Sequence, residues 1–224
     1  SRCERLLFAR EIIQCEAAAL SAIADSLGDD FCSAVDQLYA CQGNVVVSGM
    51  GKAGHVGQKI SATLCSTGTP SIFLHPAEAI HGDLGRLHAG DVVLMLSQSG
   101  ETDEVTRLLP AIALVGAPLV SITGTASSTL GKASSIVLPL GKLEEAGPNA
   151  LAPSTSTTAM MAMGDALALV VSRLRGFRPE DFARYHPGGS LGLKLSVVDD
   201  VMRPLGECRL ASQQHPVREV FVEA

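Results

Sequence analysis

The chain is poor in aromatic residues and has no excess of positive charge. Its 224 residues include no tryptophan, two tyrosines and six phenylalanines. The formal net charge is −6 and the pI is near 5.5. Proteins that bind nucleic acid need cations to neutralise phosphates, and many also use aromatic rings as platforms for bases. The composition therefore argues against a nucleic-acid-binding protein, and it requires a core built from aliphatic side chains.

Long apolar runs are also missing. The longest ones, such as residues 112–120, are interrupted by glycine or proline and fall short of the roughly 20 residues that span a bilayer. Residues 1–10 mix charges of both signs, whereas a secretory signal has a basic stretch followed by an apolar segment. We therefore expect a cytoplasmic protein with no membrane partner.

The cysteines form no pair of the C-x-x-C type, which argues against a zinc knuckle and against a dithiol redox motif. We expect them to be reduced and mostly buried, as small apolar side chains. The six cysteines are Cys3, Cys15, Cys32, Cys41, Cys65 and Cys208.

The pattern of apolar residues predicts a doubly wound, Rossmann-like α/β fold with a parallel sheet of about five strands. Hydrophobic residues make up 46% of the chain and charged residues 18%, which is enough for a sizeable core. Short runs rich in Val and Ile predict strands that are buried on both faces, and segments of helical spacing separate the first four. This β-α-β order is typical of a parallel sheet with helices on both faces. The predicted strands are 44–48, 71–74, 91–97, 118–123 and 135–139; the predicted helices are two before residue 40, then about 55–66, 102–115 and 154–175.

We expect one domain over residues 1–195, with N-terminal helices in 1–42, and a tail over 196–224 that is too short for a second domain.

A glycine-rich turn follows the first predicted strand. Residues 49–54 read G-M-G-K-A-G and match the G-x-G-x-x-G pattern of dinucleotide-binding folds. Such a fold also needs an acidic residue at the end of the second strand to hold the ribose, and His75 occupies that region here. The pattern therefore disfavours NAD. It favours Lys52 as a cation that holds an anion or a developing oxyanion.

A second candidate loop follows the third predicted strand. Ser97, Ser99 and Thr102 supply hydroxyl groups, and Gly100 permits close approach of the backbone. Together with free backbone N–H groups, these residues predict a phosphate site. No Walker lysine follows, so a monophosphate fits better than a nucleoside triphosphate. The alternative is plain helix capping by Ser99 or Thr102.

Two histidines lie between the second and third predicted strands, in H-P-A-E-A-I-H-G-D-L-G at residues 75–85. This segment could be a metal site, a substrate-binding loop or a polar connection. His75 and His81 lack the i, i+4 spacing of zinc-binding helices, so we favour recognition of a sugar hydroxyl by His81. His75 is retained as the candidate metal ligand.

Together these segments resemble the sugar isomerase (SIS) domain family, and in particular its D-arabinose-5-phosphate isomerase branch. The segments at 156–158, S-T-T, and at 186–189, H-P-G-G, complete the resemblance, which covers residues 44–202. In relatives two CBS modules often follow the SIS domain, and the tail from residue 196 looks like the start of one.

The resemblance implies interconversion of D-ribulose 5-phosphate and D-arabinose 5-phosphate, a step of carbohydrate metabolism toward 3-deoxy-D-manno-octulosonate in lipopolysaccharide synthesis. It implies a sugar phosphate as partner, a homotetramer and no required cofactor, with zinc only as an adventitious or inhibitory ligand. The implied catalytic residues are Lys52, Glu104, Glu145 and His186; the implied substrate-binding residues are Ser48, Gly68, Thr69, His81, Ser97, Gln98, Ser99 and Thr102. A sugar-phosphate-sensing regulator, or an isomerase of another phosphosugar, is the alternative.

Aldose–ketose isomerisation through an enediol explains why these residue types are useful. The reaction needs a base, an acid for the carbonyl oxygen and a cation for developing negative charge. We favour Glu104 as the base, with Glu145 assisting and its pKa raised by partial desolvation, but the sequence leaves the choice between them open. Because Pro187 and two glycines follow His186, we expect this side chain to reach the active site of a neighbouring subunit.

Overall fold

The computed structural model describes residues 2–186, 198, 202–208, 214, 216 and 218. Its contacts divide the chain into two compact units, Ser1–Arg178 and Pro179–Ala224. This division lies N-terminal to the predicted boundary at residue 195. Most of the predicted tail, and residues 187–189 of the H-P-G-G segment, lie outside the described residues.

The first unit contains a five-stranded parallel sheet, which confirms the predicted fold class. The strand order is β2-β1-β3-β4-β5, and every pair of neighbours is parallel. In this order β1 and β3 are neighbours, but the chain runs from β1 to β2 on one side and from β3 to β4 on the other. A crevice opens beyond the carboxyl ends of β1 and β3, where these two connections diverge. The strands are β1 (Val45–Gly49), β2 (Ser71–Phe73), β3 (Val92–Ser97), β4 (Leu119–Thr123) and β5 (Ile136–Pro139).

Helices cover both faces of this sheet. On one face Val45, Val47 and Leu94 pack with residues of the helices α1 to α3 and α8. On the other face Val46 and Val93 pack with residues of α4 to α7. Successive strand residues therefore point into two separate apolar cores, which is why the strands read as continuous apolar runs. The helices are α1 (Arg2–Ser26), α2 (Asp29–Tyr39), α3 (Gly51–Ser66), α4 (Pro76–Ile80), α5 (Asp103–Thr106), α6 (Leu109–Val115), α7 (Thr129–Ala133) and α8 (Thr155–Leu174).

Two helices differ from their predicted bounds. The predicted helix 102–115 is split into α5 and α6, because Pro110 lacks an N–H and its ring clashes with the carbonyl four residues earlier. Helix α3 begins at Gly51, four residues before the predicted start, so Lys52 lies in its first turn. A Cβ on Gly54 would lie 2.6 Å from the Gly49 carbonyl oxygen, so glycine allows α3 to approach β1 this closely.

Helix α8 is the long apolar helix of the first unit. Its length and mean hydropathy would suit a membrane span, but 44% of its most apolar window is buried inside the protein. Leu167, Ala168 and Val171 are fully buried in the same core as the strands. Burial of a side chain such as Leu167 stabilises the folded state by about 1.5–3 kcal/mol. The apolar composition of α8 is therefore explained by its position in the core.

The prediction of mostly buried cysteines is wrong. Among the described residues all six cysteines are free; Cys3, Cys15, Cys32 and Cys65 are exposed, and Cys41 and Cys208 are half-buried. The exposed ones lie on the outward faces of helices, where helical periodicity rather than residue type decides burial. Burial raises the pKa of the half-buried Cys41 thiol.

The second unit contains α9 (Pro179–Tyr185) and a short 3₁₀ turn at Leu205–Glu207. His186 directly follows α9. The His186 ring stacks on Phe182 with a centroid separation of 3.8 Å, and its Nδ1 lies 2.9 Å from the Phe182 carbonyl oxygen.

Candidate active site

A cavity of about 380 Å³ opens at the carboxyl ends of β1 and β3. It lies at the crevice that the strand order creates, where open α/β sheets bind their ligands. Six of the predicted site residues line it: Lys52, Ser97, Gln98, Ser99, Thr102 and Glu145. Residues that are 93 positions apart in the chain therefore share one cavity.

The loop after β3 is shaped by its own hydroxyl groups. The Ser97 and Thr102 hydroxyls are 2.9 Å apart, and the Gly100 N–H donates to Ser97 Oγ at 3.1 Å. The Glu101 N–H donates to Ser99 Oγ at 3.2 Å. Thr102 occupies the N-cap position of α5 without making a side-chain capping bond. Plain helix capping by Thr102 therefore does not account for its hydroxyl, which faces Ser97 instead.

The Glu101 carboxylate points away from this loop. Its Oε1 accepts a hydrogen bond of 2.8 Å from the Thr129 N–H, and the bonds with Thr129 lower the pKa of Glu101. The negative charge next to the loop is thus held at the start of α7, which leaves the hydroxyl groups available to an anion.

The side-chain amide of Gln98 has one paired and one unpaired atom. Its Nε2 donates to the Gly141 carbonyl oxygen at 3.0 Å, while its Oε1 is buried and has no hydrogen-bond partner among the described residues. Buried polar atoms are nearly always paired in folded proteins, through protein groups or water. The Gln98 side chain thus lines the cavity while one of its hydrogen-bonding atoms stays buried and unused.

The Glu145 carboxylate is held by the residues that begin α8. Its Oε2 accepts from the backbone N–H groups of Ser154, at 2.8 Å, and Ser156, at 3.2 Å. The Ser156 hydroxyl donates a short hydrogen bond to Oε1. Partial burial raises the pKa of Glu145, but the hydrogen bonds from Ser156 and Ser154 outweigh it, so the pKa is lowered. The predicted raised pKa is wrong, because desolvation is more than offset by these donors.

Three predicted substrate-binding residues do not reach the cavity. Gly68 and Thr69 precede β2 and therefore lie at the opposite end of the sheet, where Arg175 Nε donates to Thr69 Oγ1 at 3.2 Å. Ser48 is buried, and its hydroxyl donates to the Leu74 carbonyl oxygen at 2.7 Å, between β1 and β2. Within this chain their hydrogen bonds hold strands and helices together, and their contact with substrate stays a prediction.

Other predicted residues lie near this edge of the sheet but not in the cavity wall. Glu104 is half-buried in α5, and His81 is exposed at the end of α4. His75 is half-buried, with its Nδ1 atom buried and unpaired. A structural zinc site needs about four ligands, and no group of three His, Cys, Asp or Glu side chains comes together among the described residues. Metal binding by His75 stays a prediction.

His186 belongs to the second unit, where its Nδ1 atom lies within hydrogen-bond distance of the Phe182 carbonyl oxygen. Because the Phe182 carbonyl oxygen can only accept, Nδ1 must carry the proton of the hydrogen bond. A neutral His186 ring then has its free lone pair on Nε2, which is the atom suited to take or return a proton.

A second cavity, of about 530 Å³, lies among α1, α3 and α8. Lys52 and Thr157 line both cavities. The walls of this one also include apolar residues such as Leu20 and Met161. It borders Asp165, which forms an ion pair with Lys59.

Sequence reasoning missed the role of Ser154 and Ser156. The available signal was the polar run S-T-S-T-T at 154–158 at the start of a long apolar helix. This run is typical of a helix N-terminus, but nothing in it indicates that Glu145 would fold back onto it.

Comparisons with known proteins agree with this architecture. The SIS domain family model matches residues 38–170. The chain is 50% identical over 196 residues to the arabinose 5-phosphate isomerase KpsF of Escherichia coli O6:H1 (strain CFT073), a match that covers 87% of this chain and 60% of the relative. It is 51% identical over 195 residues to the arabinose 5-phosphate isomerase KdsD of Pseudomonas aeruginosa, again with 87% and 60% coverage. The chain thus spans 60% of the length of these two relatives.

A solved structure is similar over a whole domain. An Escherichia coli CFT073 protein in complex with arabinose 5-phosphate superposes with a TM-score of 0.81 at 38% sequence identity, covering 84% of this chain and 100% of that chain. The family match, the level of identity and the parallel sheet with its crevice at β1 and β3 agree. The chain belongs to the SIS domain family.

Proposed function

We propose that this chain interconverts D-ribulose 5-phosphate and D-arabinose 5-phosphate through an enediol. The observation that carries the proposal is the single cavity shared by Lys52, the hydroxyl groups after β3 and the ionised Glu145. Relatives of about 50% identity are named arabinose 5-phosphate isomerases, and a structural neighbour was solved with arabinose 5-phosphate.

The phosphate of the substrate is assigned to the loop after β3. Ser99 is exposed, Thr102 is half-buried, and both line the cavity. A phosphate group is bound by hydroxyl and backbone N–H donors of this kind. Gln98 lines the same cavity and is assigned to the sugar part of the substrate.

Glu145 is proposed as the base, in preference to Glu104. Glu145 lines the cavity, whereas Glu104 is absent from its wall. In the direction from ribulose 5-phosphate, the carboxylate removes a proton from C1, the C–H electron pair forms the C1=C2 bond, and the C2 carbonyl oxygen takes up a proton. The O1–H bond then breaks, its electron pair forms C1=O, and the C1=C2 electron pair takes the proton back from the Glu145 carboxyl group to form the C2–H bond. The ammonium group of Lys52 is suited to stabilise the oxygen that becomes negative between these steps.

The decisive test is isomerisation in deuterium oxide. Purified protein is incubated with ribulose 5-phosphate, and arabinose 5-phosphate is followed by NMR. Because the transferred proton passes through a carboxylate, we expect deuterium at C2 of the product and loss of activity in Glu145→Gln. Faster turnover of a ketohexose phosphate would indicate another phosphosugar isomerase, and binding without turnover would indicate a regulator.

We also propose that the reaction requires no cofactor, since the chemistry moves a proton and transfers no electrons to an acceptor. Activity should survive treatment with a chelator. Activity that disappears with the chelator and returns only with a divalent ion would contradict this part. Added zinc that lowers activity in the native protein but not in His75→Ala would identify His75 as an inhibitory ligand.

We further propose a cytoplasmic homotetramer. Helix α1 has one buried residue, Ile23, while Leu6, Leu7 and Ile13 are each more than half exposed. Leu169 and Leu174 of α8 are also more than half exposed. Apolar surface of this extent is typical of an interface between subunits. A monomer at micromolar concentration in light scattering would refute this assembly.

A further inference from the structure

The two oxygens of the Glu145 carboxylate are in different surroundings. Oε2 receives three contacts: the N–H groups of Ser154 and Ser156, at 2.8 and 3.2 Å, and the Ser154 hydroxyl, at 3.4 Å. Oε1 receives one, the short hydrogen bond from the Ser156 hydroxyl. A carboxylate offers about four acceptor positions in total. The oxygen with capacity left for a proton is therefore Oε1, the one that Ser156 holds.

Ser156 itself is fixed by the fold. It is 3% exposed and lies in the first turn of α8, a helix of 20 residues packed in the core. The neighbouring Thr155 hydroxyl accepts from the Ala146 N–H at 3.1 Å, which ties the loop that carries Glu145 to the same helix start. The position of the Ser156 Oγ atom is thus set by the backbone of α8 and not by the mobility of a long side chain.

We propose that Ser156 is a positioning residue for proton transfer: its backbone N–H and hydroxyl hold the Glu145 carboxylate in place, with Oε1 directed to receive the proton from substrate carbon. This inference rests on the proposed function, because it assigns the base of that reaction. A hydroxyl group both donates and accepts. When Oε1 takes the proton, the Ser156 hydroxyl can turn and accept from it, so the contact persists in both protonation states.

Among the described residues, ionisable groups of α3, of α1 and of its own loop lie around this carboxylate. Lys52 of α3 lines the same cavity, and Glu144 is adjacent in the loop. The Cys15 thiol of α1 lies 3.9 Å from Thr155 Oγ1 and 4.0 Å from the Glu144 carbonyl oxygen. Burial acts to raise the pKa of Glu145, and hydrogen bonds from Ser156 and Ser154 lower it below its ordinary value. Removal of the Ser156 hydroxyl should therefore raise the pKa of Glu145.

The experiment compares Ser156→Ala with three further variants. Ser156→Thr keeps the hydroxyl, and Ser156→Cys keeps the shape with a weak donor. Ser154→Ala is the control, since it removes the 3.4 Å hydroxyl contact to Glu145 and a 3.1 Å hydrogen bond to the Ala146 carbonyl oxygen, and leaves the 2.8 Å backbone bond to Glu145 in place. Each variant is measured in two ways. The first is the pH dependence of kcat; the second is a ¹³C NMR titration of glutamate carboxyl carbons, with the Glu145 signal assigned from its loss in Glu145→Gln.

We expect the acidic midpoints of both titrations to move to higher pH in Ser156→Ala and Ser156→Cys, and much less in Ser154→Ala. At the pH optimum, kcat should fall by about tenfold in Ser156→Ala with a smaller change in KM, because the contact orients the reacting group rather than the phosphate. Ser156→Thr should restore the native midpoint.

A Glu145 titration that is unchanged in both Ser156→Ala and Ser156→Cys would overturn the proposal, and so would an equal shift in Ser154→Ala. The NMR titration needs no substrate. It therefore tests the effect of Ser156 on the pKa of Glu145 even if ribulose 5-phosphate is not turned over. Absence of turnover in the native protein would contradict the proposed function and not the contact between Ser156 and Glu145.

Discussion

Replacing Gly100 by alanine should destabilise the protein through a steric clash with Ser128. Gly100 has φ of +65°, a left-handed conformation that costs an L-residue about 1–2 kcal/mol. Part of this cost is offset because alanine restricts the unfolded chain more than glycine does, by about 0.4–1 kcal/mol. The backbone contribution alone is therefore about 1 kcal/mol.

The larger contribution comes from the space around Gly100. A Cβ there would lie 2.2 Å from Ser128 Oγ and 2.6 Å from Ser128 Cβ. The Ser128 hydroxyl accepts from the Gly131 N–H at 3.1 Å and donates to the Thr125 carbonyl oxygen at 2.9 Å. Moving it would remove the N-cap of α7, at about 1 kcal/mol, and overpack a buried site, at about 1–3 kcal/mol. We expect the free energy of unfolding to fall by about 3–5 kcal/mol in total.

Gly116→Ala is the matched control. Gly116 has φ of +77°, but a Cβ there would meet no atom within 4 Å. Urea unfolding of both variants, followed by circular dichroism, separates the backbone cost from the steric cost. If Gly100→Ala lowered the free energy of unfolding no more than Gly116→Ala, the reasoning from the Ser128 contact would be refuted.

Three further outcomes are expected. Ser99→Ala and Thr102→Val should raise KM more than they lower kcat, because a phosphate far from the reacting carbons is held similarly in ground and transition states; a loss confined to kcat would contradict the phosphate assignment. The lowered pKa of Glu145 stabilises the fold above the pKa that this group has in the unfolded chain, and this stability is lost as the pH falls through the lowered pKa. The melting temperature of Glu145→Gln should therefore depend less on pH in that acidic range, and equal slopes for both proteins would count against the hydrogen-bonded carboxylate. Mixed subunits of inactive His186→Ala and inactive Lys52→Ala protein should regain activity if His186 acts across subunits, whereas no recovery despite proven exchange would exclude such sharing.

The strands and the hydroxyl-rich loop after β3 were predictable because their signals are local. Runs of Val and Ile bounded by turn residues predict buried strands wherever they stand in a chain. The hydroxyl groups of Ser97 and Thr102 lie five residues apart and meet within one loop. Pro110 likewise interrupts the helix only in the few residues that precede it.

The environment of Glu145 could not be read from the sequence. Whether a loop carboxylate is solvated, desolvated or hydrogen-bonded depends on which helix start it folds against. The donors come from Ser154 and Ser156, nine and eleven residues further along the chain. A desolvated carboxylate and a fully hydrogen-bonded one have the same sequence signature and opposite pKa shifts.

The class of fold and the residue types available for chemistry follow from local patterns in the chain, since apolar periodicity and short loop motifs depend only on sequence neighbours. The tertiary structure decided which of those residues share a site. The strand order brought the loops after β1 and β3 to one cavity and left Gly68 and Thr69 at the opposite end of the sheet. Strand order arises from packing between distant segments, so no local pattern of residues specifies it.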